Sequence, residues 1–321
     1  MTIAHRALGA LCSAAAICIA AGAPAQAQQR NSILERYSSQ ATFESAYAAL
    51  GANHYRVVDI NFCYDPAPTR WWVVVYQRDP AFTPDGTNAL VWTQPNLSSL
   101  RTNMLALEAG EMKIDDFDAN SALLGRRDPP FVALQNVGPG RQEFIAEFQL
   151  PLFLAQIGER PGFALVDVEI YPFEQGPHYF GLLREGAPQA NLYRETSWAA
   201  LEARRVAIAA DGWRLRNVAA REGEYWGLFN REDGPQTAGM FDDWSALRER
   251  FAEVDNNGAG TMRLDDVDCF NSAGAQRYVG VWSVIPGRVR PHPEAGPRPA
   301  PPPRPRAPRR PRTPPVDRDP G

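Results

Sequence analysis

The sequence predicts an α/β repeat protein. Five helix-strand-strand-strand units close into a propeller-like ring, and an N-terminal strand completes the last unit. Three observations carry this reading. One seven-residue strand pattern recurs five times along the 321 residues. Each copy follows an amphipathic helix pattern and precedes a second strand rich in aromatic and β-branched residues. The fifth copy ends without a third strand, while a spare strand stands before the first helix.

The chain opens on a leader. Arg6 supplies a short positive region, "ALGALCSAAAICIAAGA" an apolar core, and "AQA" at 25–27 the small-x-small cleavage pattern. Residues 1–27 therefore read as a signal peptide that leaves Gln28 first. An N-terminal membrane anchor is the alternative, and the apolar stretch is short for one. No later segment is long and apolar enough to span a bilayer.

The repeated strand follows five times: "YRVVDIN" from Tyr55, "MKIDDFD" from Met112, "FALVDVE" from Phe163, "WRLRNVA" from Trp213 and "MRLDDVD" from Met262. The first place is aromatic or Met, the second is basic in four copies (Arg56, Lys113, Arg214, Arg263), and the third is Val, Ile or Leu. The fifth place holds Asp59, Asp116, Asp167, Asn217 and Asp266, spaced by 57, 51, 50 and 49 residues. An apolar residue comes next, then an acid or amide in four of the five copies. Helix patterns such as "TFESAYAAL" and "DWSALRERFAEV" stand before the strands. Second strands ("WWVVVYQ", "FVALQNV", "YFGLLRE", "YWGLFNR", "YVGVWSV") come after them. Four third strands follow, "NALVWTQ", "EFIAEFQ", "ANLYRE" and "TAGMFDD", with Gly and Pro clusters marking the turns. Ile33–Tyr37 is expected to supply the missing fifth one. Closure of this kind removes exposed sheet edges, whereas an open solenoid would need polar caps at both ends.

The stretch "AEVDNNGAGTMRLDD" (252–266) approximates a calcium loop. Ala259 lacks a ligating oxygen there, and Met262 and Asp266 already belong to the repeat, so it reads as a helix-to-strand turn. From Pro286 the text turns to Pro and Arg. Residues 286–321 have little to bury and read as a disordered, semi-rigid tail after the repeat domain of 28–285. The chain totals −4; with nine arginines against three acids in 284–321 and one arginine in the leader, residues 28–283 carry −11. An acidic folded domain argues against nucleic-acid binding. The basic tail suits contact with anionic surfaces, or serves as a solubilising spacer. Cleavage leaves two cysteines, Cys63 and Cys269. In an exported chain they read as one disulfide, and in a ring it would join neighbouring units. Two unpaired thiols are the alternative.

"LVDVEIYPFEQGPHYFGLLREG" with "SWAALEARR", and "LDDVDCFNSAGAQRYVGVWS" with "DWSALRERF", resemble the bacterial tandem repeats found beside the catalytic domain of fungal polyglycine hydrolases. The resemblance spans roughly residues 32–283 and is clearest from 163 onward. Units one and two depart from it, with Val73 and Ala133 in place of the second-strand Gly. It implies a propeller-like fold and an extracellular role. It does not carry over the protease activity, which belongs to a separate serine domain. Lys113 is the only lysine and Gly110 stands three before it, so the Ser-x-x-Lys nucleophile motif is absent.

Other chemistry is sparse. A five-unit ring also resembles the penteins, but His54 precedes a strand, His178 is expected in a turn, His292 lies in the tail, and none forms a Cys–His pattern. Gly-x-Ser-x-Gly, Walker and His-Glu-x-x-His motifs are missing, and zinc lacks ligands. The candidate binding residues are Asp59, Asp116, Asp167, Asn217 and Asp266. Pointing inward, four carboxylates could hold a cation through oxygen; alternatively they close strand turns or pair with Arg between units. Trp71, Trp72, Trp213, Trp226 and Trp282 are expected mainly in the core, and any that are spared suit stacking on sugars or peptides. The expected function is a secreted or periplasmic, non-enzymatic scaffold or binding module for an envelope or extracellular glycan, peptide or protein. No cofactor is expected. The alternative is a hydrolase of unfamiliar type working in the ring centre or on one face.

Overall fold

The computed structural model describes residues 31–64, 70–79, 90–109, 112–119, 131–138, 140–173, 176–255 and 260–285. The expected leader and Pro/Arg tail lie outside the described residues, as does part of the 252–266 turn. Fifteen strands and five helices are present among the described residues. In chain order the first unit holds β1 (Ser32–Tyr37), α1 (Gln40–Gly51), β2 (Tyr55–Tyr64) and β3 (Arg70–Arg78). The second holds β4 (Leu90–Gln94), α2 (Leu97–Ala109), β5 (Met112–Ala119) and β6 (Phe131–Val137). The third holds β7 (Gln142–Glu147), α3 (Leu150–Gly158), β8 (Phe163–Phe173) and β9 (Gly176–Glu185). The fourth holds β10 (Ala190–Glu195), α4 (Trp198–Ala209), β11 (Trp213–Arg221) and β12 (Glu224–Arg231). The fifth holds β13 (Gln236–Phe241), α5 (Trp244–Asp255), β14 (Met262–Ser272) and β15 (Ala275–Val284).

Each unit is one antiparallel three-stranded sheet, ordered β1-β3-β2, β4-β6-β5, β7-β9-β8, β10-β12-β11 and β13-β15-β14. This corrects the expected phase of the repeat. The strand before each helix belongs to the sheet of the two strands after it, so the unit is strand-helix-strand-strand. Ile33–Tyr37 does not complete the fifth unit: β1 pairs with β3, from Ser32 opposite Gln77 to Tyr37 opposite Trp72. The cause is the helix. The strands on either side of it run parallel with the middle strand between them, and parallel strands need a crossover. The helix is that crossover, and it returns the chain to the sheet it left. A linear repeat has no marked beginning, so periodicity alone does not reveal this phase.

Polar residues cap four of the helices, while Gln149 before α3 makes no side-chain cap. Ser39 accepts from Thr42 N and Ser197 from Ala200 N, each at 3.2 Å; Asn96 and Asp243 accept from Ser99 N (2.8 Å) and Ala246 N (2.9 Å). Apolar anchors on each helix, such as Phe43, Leu100, Phe153, Leu201 and Leu247, are buried between sheet and helix.

The repeated strands β2, β5, β8, β11 and β14 lie at one edge of their sheets and contact one another in that order, and β14 contacts β2. Each carries a bulge at the same place, between the third and fifth residues of the pattern. A bulge sets two residues against one and re-aims the side chains beyond it. In β2, Val57, Ile60 and Phe62 therefore share the apolar core while Asp59 and Asn61 point elsewhere; regular alternation would have put 57, 59 and 61 on one face. Register also assigns the second-strand Gly position of unit one to Val74 rather than Val73. Val74 faces Ile60 as Gly181, Gly227 and Gly280 face Val168, Val218 and Val267. Cys63 and Cys269 form a disulfide with Cα atoms 5.6 Å apart, joining β2 to β14 across 206 residues. No described helix is long and apolar enough to cross a membrane.

Candidate functional site

The bulges gather the fifth- and seventh-place side chains where the five edge strands meet. Asp59, Asp116, Asp167, Asn217 and Asp266 are all buried, as are Asn61, Asp118, Glu169 and Asp268, and none is more than 8% exposed. The fifth-place acids form a ladder between units. Ile60 N donates to Asp116 (2.9 Å), Phe117 N to Asp167 (2.9 Å), Val218 N to Asp266 (3.0 Å) and Val267 N to Asp59 (2.9 Å). The seventh place repeats this less regularly. Phe62 N donates to Asp118, Ala220 N to Asp268 (2.5 Å), and Asn61 Nδ2 to the Val267 carbonyl. Asn61 and Asp118, Glu169 and Asp268 were legible in the repeat as a second polar place two residues beyond the first.

The fifth-place acids thus bind neither strand turns nor the neighbouring cations. Arg56 faces Asp79 (3.5 Å), Lys113 faces Asp115 (3.3 Å) and Arg263 faces Asp265 (3.1 Å), while Arg214 donates to backbone carbonyls such as Ala209 O (2.8 Å). Asp59, Asp116 and Asp167 also oppose one another's charge, which favours their protonated forms. Burial pushes every hub carboxyl upward: Asp167 and Asp268 to about 7, and Asp59, Asp116, Asp118, Glu169 and Asp266 well above the usual carboxylate range. Neighbouring acids raise most of them further, and the donated backbone N–H bonds oppose the rise. Among the described residues, no group of three or more His, Cys, Asp or Glu is arranged to hold a metal ion.

Two further links repeat between units. A glutamine opening the outer strand clasps the backbone of the preceding unit. Ile114 N donates to Gln142 Oε1 (2.8 Å) and Gln142 Nε2 to Ile114 O (2.7 Å); Leu215 N donates to Gln236 Oε1 (2.9 Å) and Gln236 Nε2 returns to Leu215 O. At the seam of units five and one, Leu264 N donates to Ser32 Oγ (3.4 Å) and Gln77 Nε2 to Leu264 O (2.7 Å). A helix arginine also reaches the next unit's outer strand: Arg101 to Phe144 O (3.1 Å), Arg205 to Gln236 O (3.0 Å) and Arg248 to Leu34 O (2.6 Å).

Trp72, Trp226 and Trp282 are core residues, as expected. Trp71 and Trp213 are half-buried and each lies under a guanidinium, Arg36 at 4.1 Å and Arg231 at 5.1 Å. Arg36 also lies 5.1 Å from the ring of Trp244. Arg36 and Trp244 border a cavity of about 380 Å³ that Asp242, Asp243, Gln276 and Tyr278 also line. His178 lies within β9, not in a turn; it stacks on Phe148 with ring centroids 3.8 Å apart and packs tilted against Phe180 at 4.2 Å. No protein-family model matches the chain, and no curated protein matches it either.

Proposed function

We propose that the protein is a secreted or periplasmic, non-enzymatic binding module. Its five units form a closed propeller-like ring, of the repeat type that stands beside the catalytic domain of polyglycine hydrolases. The cyclic contacts of the edge strands and the disulfide seam support closure. A buried disulfide also fits an oxidising compartment. The observation that carries the functional reading is the commitment of the hub. Asp59, Asp116, Asp167 and Asp266 are buried and each accepts a neighbouring unit's backbone N–H. General acid–base work needs such groups within reach of a substrate. Ligand recognition then falls to the surface, where aromatic and charged side chains meet, and the ligand is an envelope or extracellular glycan, peptide or protein. The basic tail supplements it by contacting anionic surfaces.

The test immobilises the mature chain on glycan and peptide arrays and follows both retention and ligand conversion. Saturable retention without conversion is expected. A hydrolase is the second reading: burial pushes the Asp167 and Asp268 carboxyls up to about 7, a range in which a carboxyl can give or take a proton near neutral pH. Turnover that disappears in Asp268→Asn would establish that second reading and defeat the first.

A further inference from the structure

The contact between units three and four carries none of the three repeated links among the described residues. Asn217 replaces the acid of the ladder, and Val168 N donates to Asp167 of its own unit (2.8 Å) instead of crossing. α3, "LPLFLAQIG", contains no arginine to reach β10. Ala190 opens β10 where Gln142 and Gln236 open β7 and β13, each at the far end of its pairing with the middle strand. Asn230, opposite Ala190, stands where Gln77 and Arg184 donate to the carbonyls of Leu264 (2.7 Å) and Ile114 (2.6 Å). Two buried oxygens on the unit-four side, Asn217 Oδ1 and Asn230 Oδ1, have no hydrogen-bond partner. The opposite end of this contact is packed by Trp226 against Phe153 and Tyr179.

Where the links are missing, a cleft of about 460 Å³ opens between α3, β8 and β10, walled by Leu154, Ile157, Phe163, Leu165, Ala190 and Leu192. Leu165 faces Leu183 directly before its bulge, in the register that Ile114 and Leu215 hold opposite Gln135 and Phe229. Its N–H and C=O are therefore directed to the next unit, as those of Ile114 and Leu215 are. In both of those cases a glutamine carboxamide meets them. At Leu165 no described side chain does. Leu165 and Ala190, the two ends of the missing clasp, both line the cleft.

We infer that this cleft binds a ligand with a primary carboxamide on an apolar body, a glutamine side chain of an extended peptide, which pairs with Leu165 N–H and C=O in the manner of Gln142 and Gln236. A carboxamide offers donor and acceptor side by side, which a carboxylate does not. Leu154, 47% exposed and on the cleft wall, supplies apolar contact for the neighbouring residue. This site rests on the binding-module reading and gives it a location and a ligand class.

The test titrates N-acetyl-Leu-Gln-N-methylamide into the mature chain, with the Leu-Glu analogue as control, and follows backbone amide shifts and calorimetric heats. The Gln probe is expected to saturate and to move the Leu165 amide. The Glu probe is expected to bind about tenfold or more weakly, the effect of one unmade hydrogen bond at a buried partner. Ala190→Gln should fill the clasp from within, weakening the probe at least as much while raising Tm. Leu154→Trp obstructs the cleft without supplying a carboxamide, and should also weaken binding. Equal binding of the two probes, no saturable shift of the Leu165 amide, or undiminished binding by Ala190→Gln would each overturn the site. If array retention survives in Ala190→Gln, this site alone fails; if the wild-type chain retains nothing on any array, the binding-module reading fails.

Discussion

Asp268 shows how a single side chain can tie stability to pH. It is buried, accepts from Ala220 N at 2.5 Å and Cys269 N at 2.6 Å, and titrates at about 7, as does Asp167. In the unfolded chain such carboxyls titrate at about 4. The folded state therefore keeps protons that the unfolded state releases. Stability from these groups is complete below about pH 4 and is lost as pH rises to about 7. Thermal melts should show Tm falling from pH 5 to pH 8, with a shallower fall in Asp268→Asn, whose amide oxygen can still accept; a Tm that rises over this range would contradict the hub's chemistry. Asp116→Ala should cost about 1–3 kcal/mol in urea melts, because Ile60 N–H loses its acceptor. The polar fifth and seventh places were legible in the text because five copies spell them at fixed spacing. Their partners were not, since a side chain reaching a backbone N–H about 50 residues away leaves no pattern beyond its own repetition. Ala190 was silent for another reason. An alanine signifies something only beside Gln142 and Gln236, and that comparison needs the strands in register.

Strands and helices were legible through aromatic and β-branched runs, helix caps and Gly or Pro turns. What misled was the grouping of strands, because the helix is a crossover and the third strand of each expected unit opens the next sheet. Val74 illustrates the same difficulty on a smaller scale, since its equivalence to Gly181 appears only once β2 and β3 are paired. The second-strand glycines have a steric cause. A Cβ at Gly227 would lie 2.7 Å from Phe229 and 2.9 Å from Leu201 and Leu215, side chains of the helix and strands packed on it. Gly227→Ala should therefore destabilise by about 1–3 kcal/mol. The comparison is Gly223→Ala, where a Cβ meets nothing within 4 Å but φ is +72°. Its cost is backbone strain alone, so denaturation curves of the two variants separate crowding from strain.

At the scale of the molecule, the disulfide closes a loop of 206 residues. The chain-entropy account gives such a link about 5 kcal/mol. Replacing both Cys63 and Cys269 by Ala should lower the urea midpoint accordingly, and an unchanged midpoint would mean that the hub ladder and arginine links already hold the seam. Every sheet is built from one continuous stretch of chain, so the seam joins two complete units rather than sharing one between them. The ends of the described fold also lie side by side: Asn31 Nδ2 donates to Gly260 O (3.3 Å) and Ile285 N to Thr261 O (2.8 Å). A short linker from 285 to 31, with new termini cut in the turn around Gly186, would give a circular permutant whose five sheets each keep their own segment. Its break would fall at the contact that already lacks the repeated links, making order along the chain dispensable to this architecture.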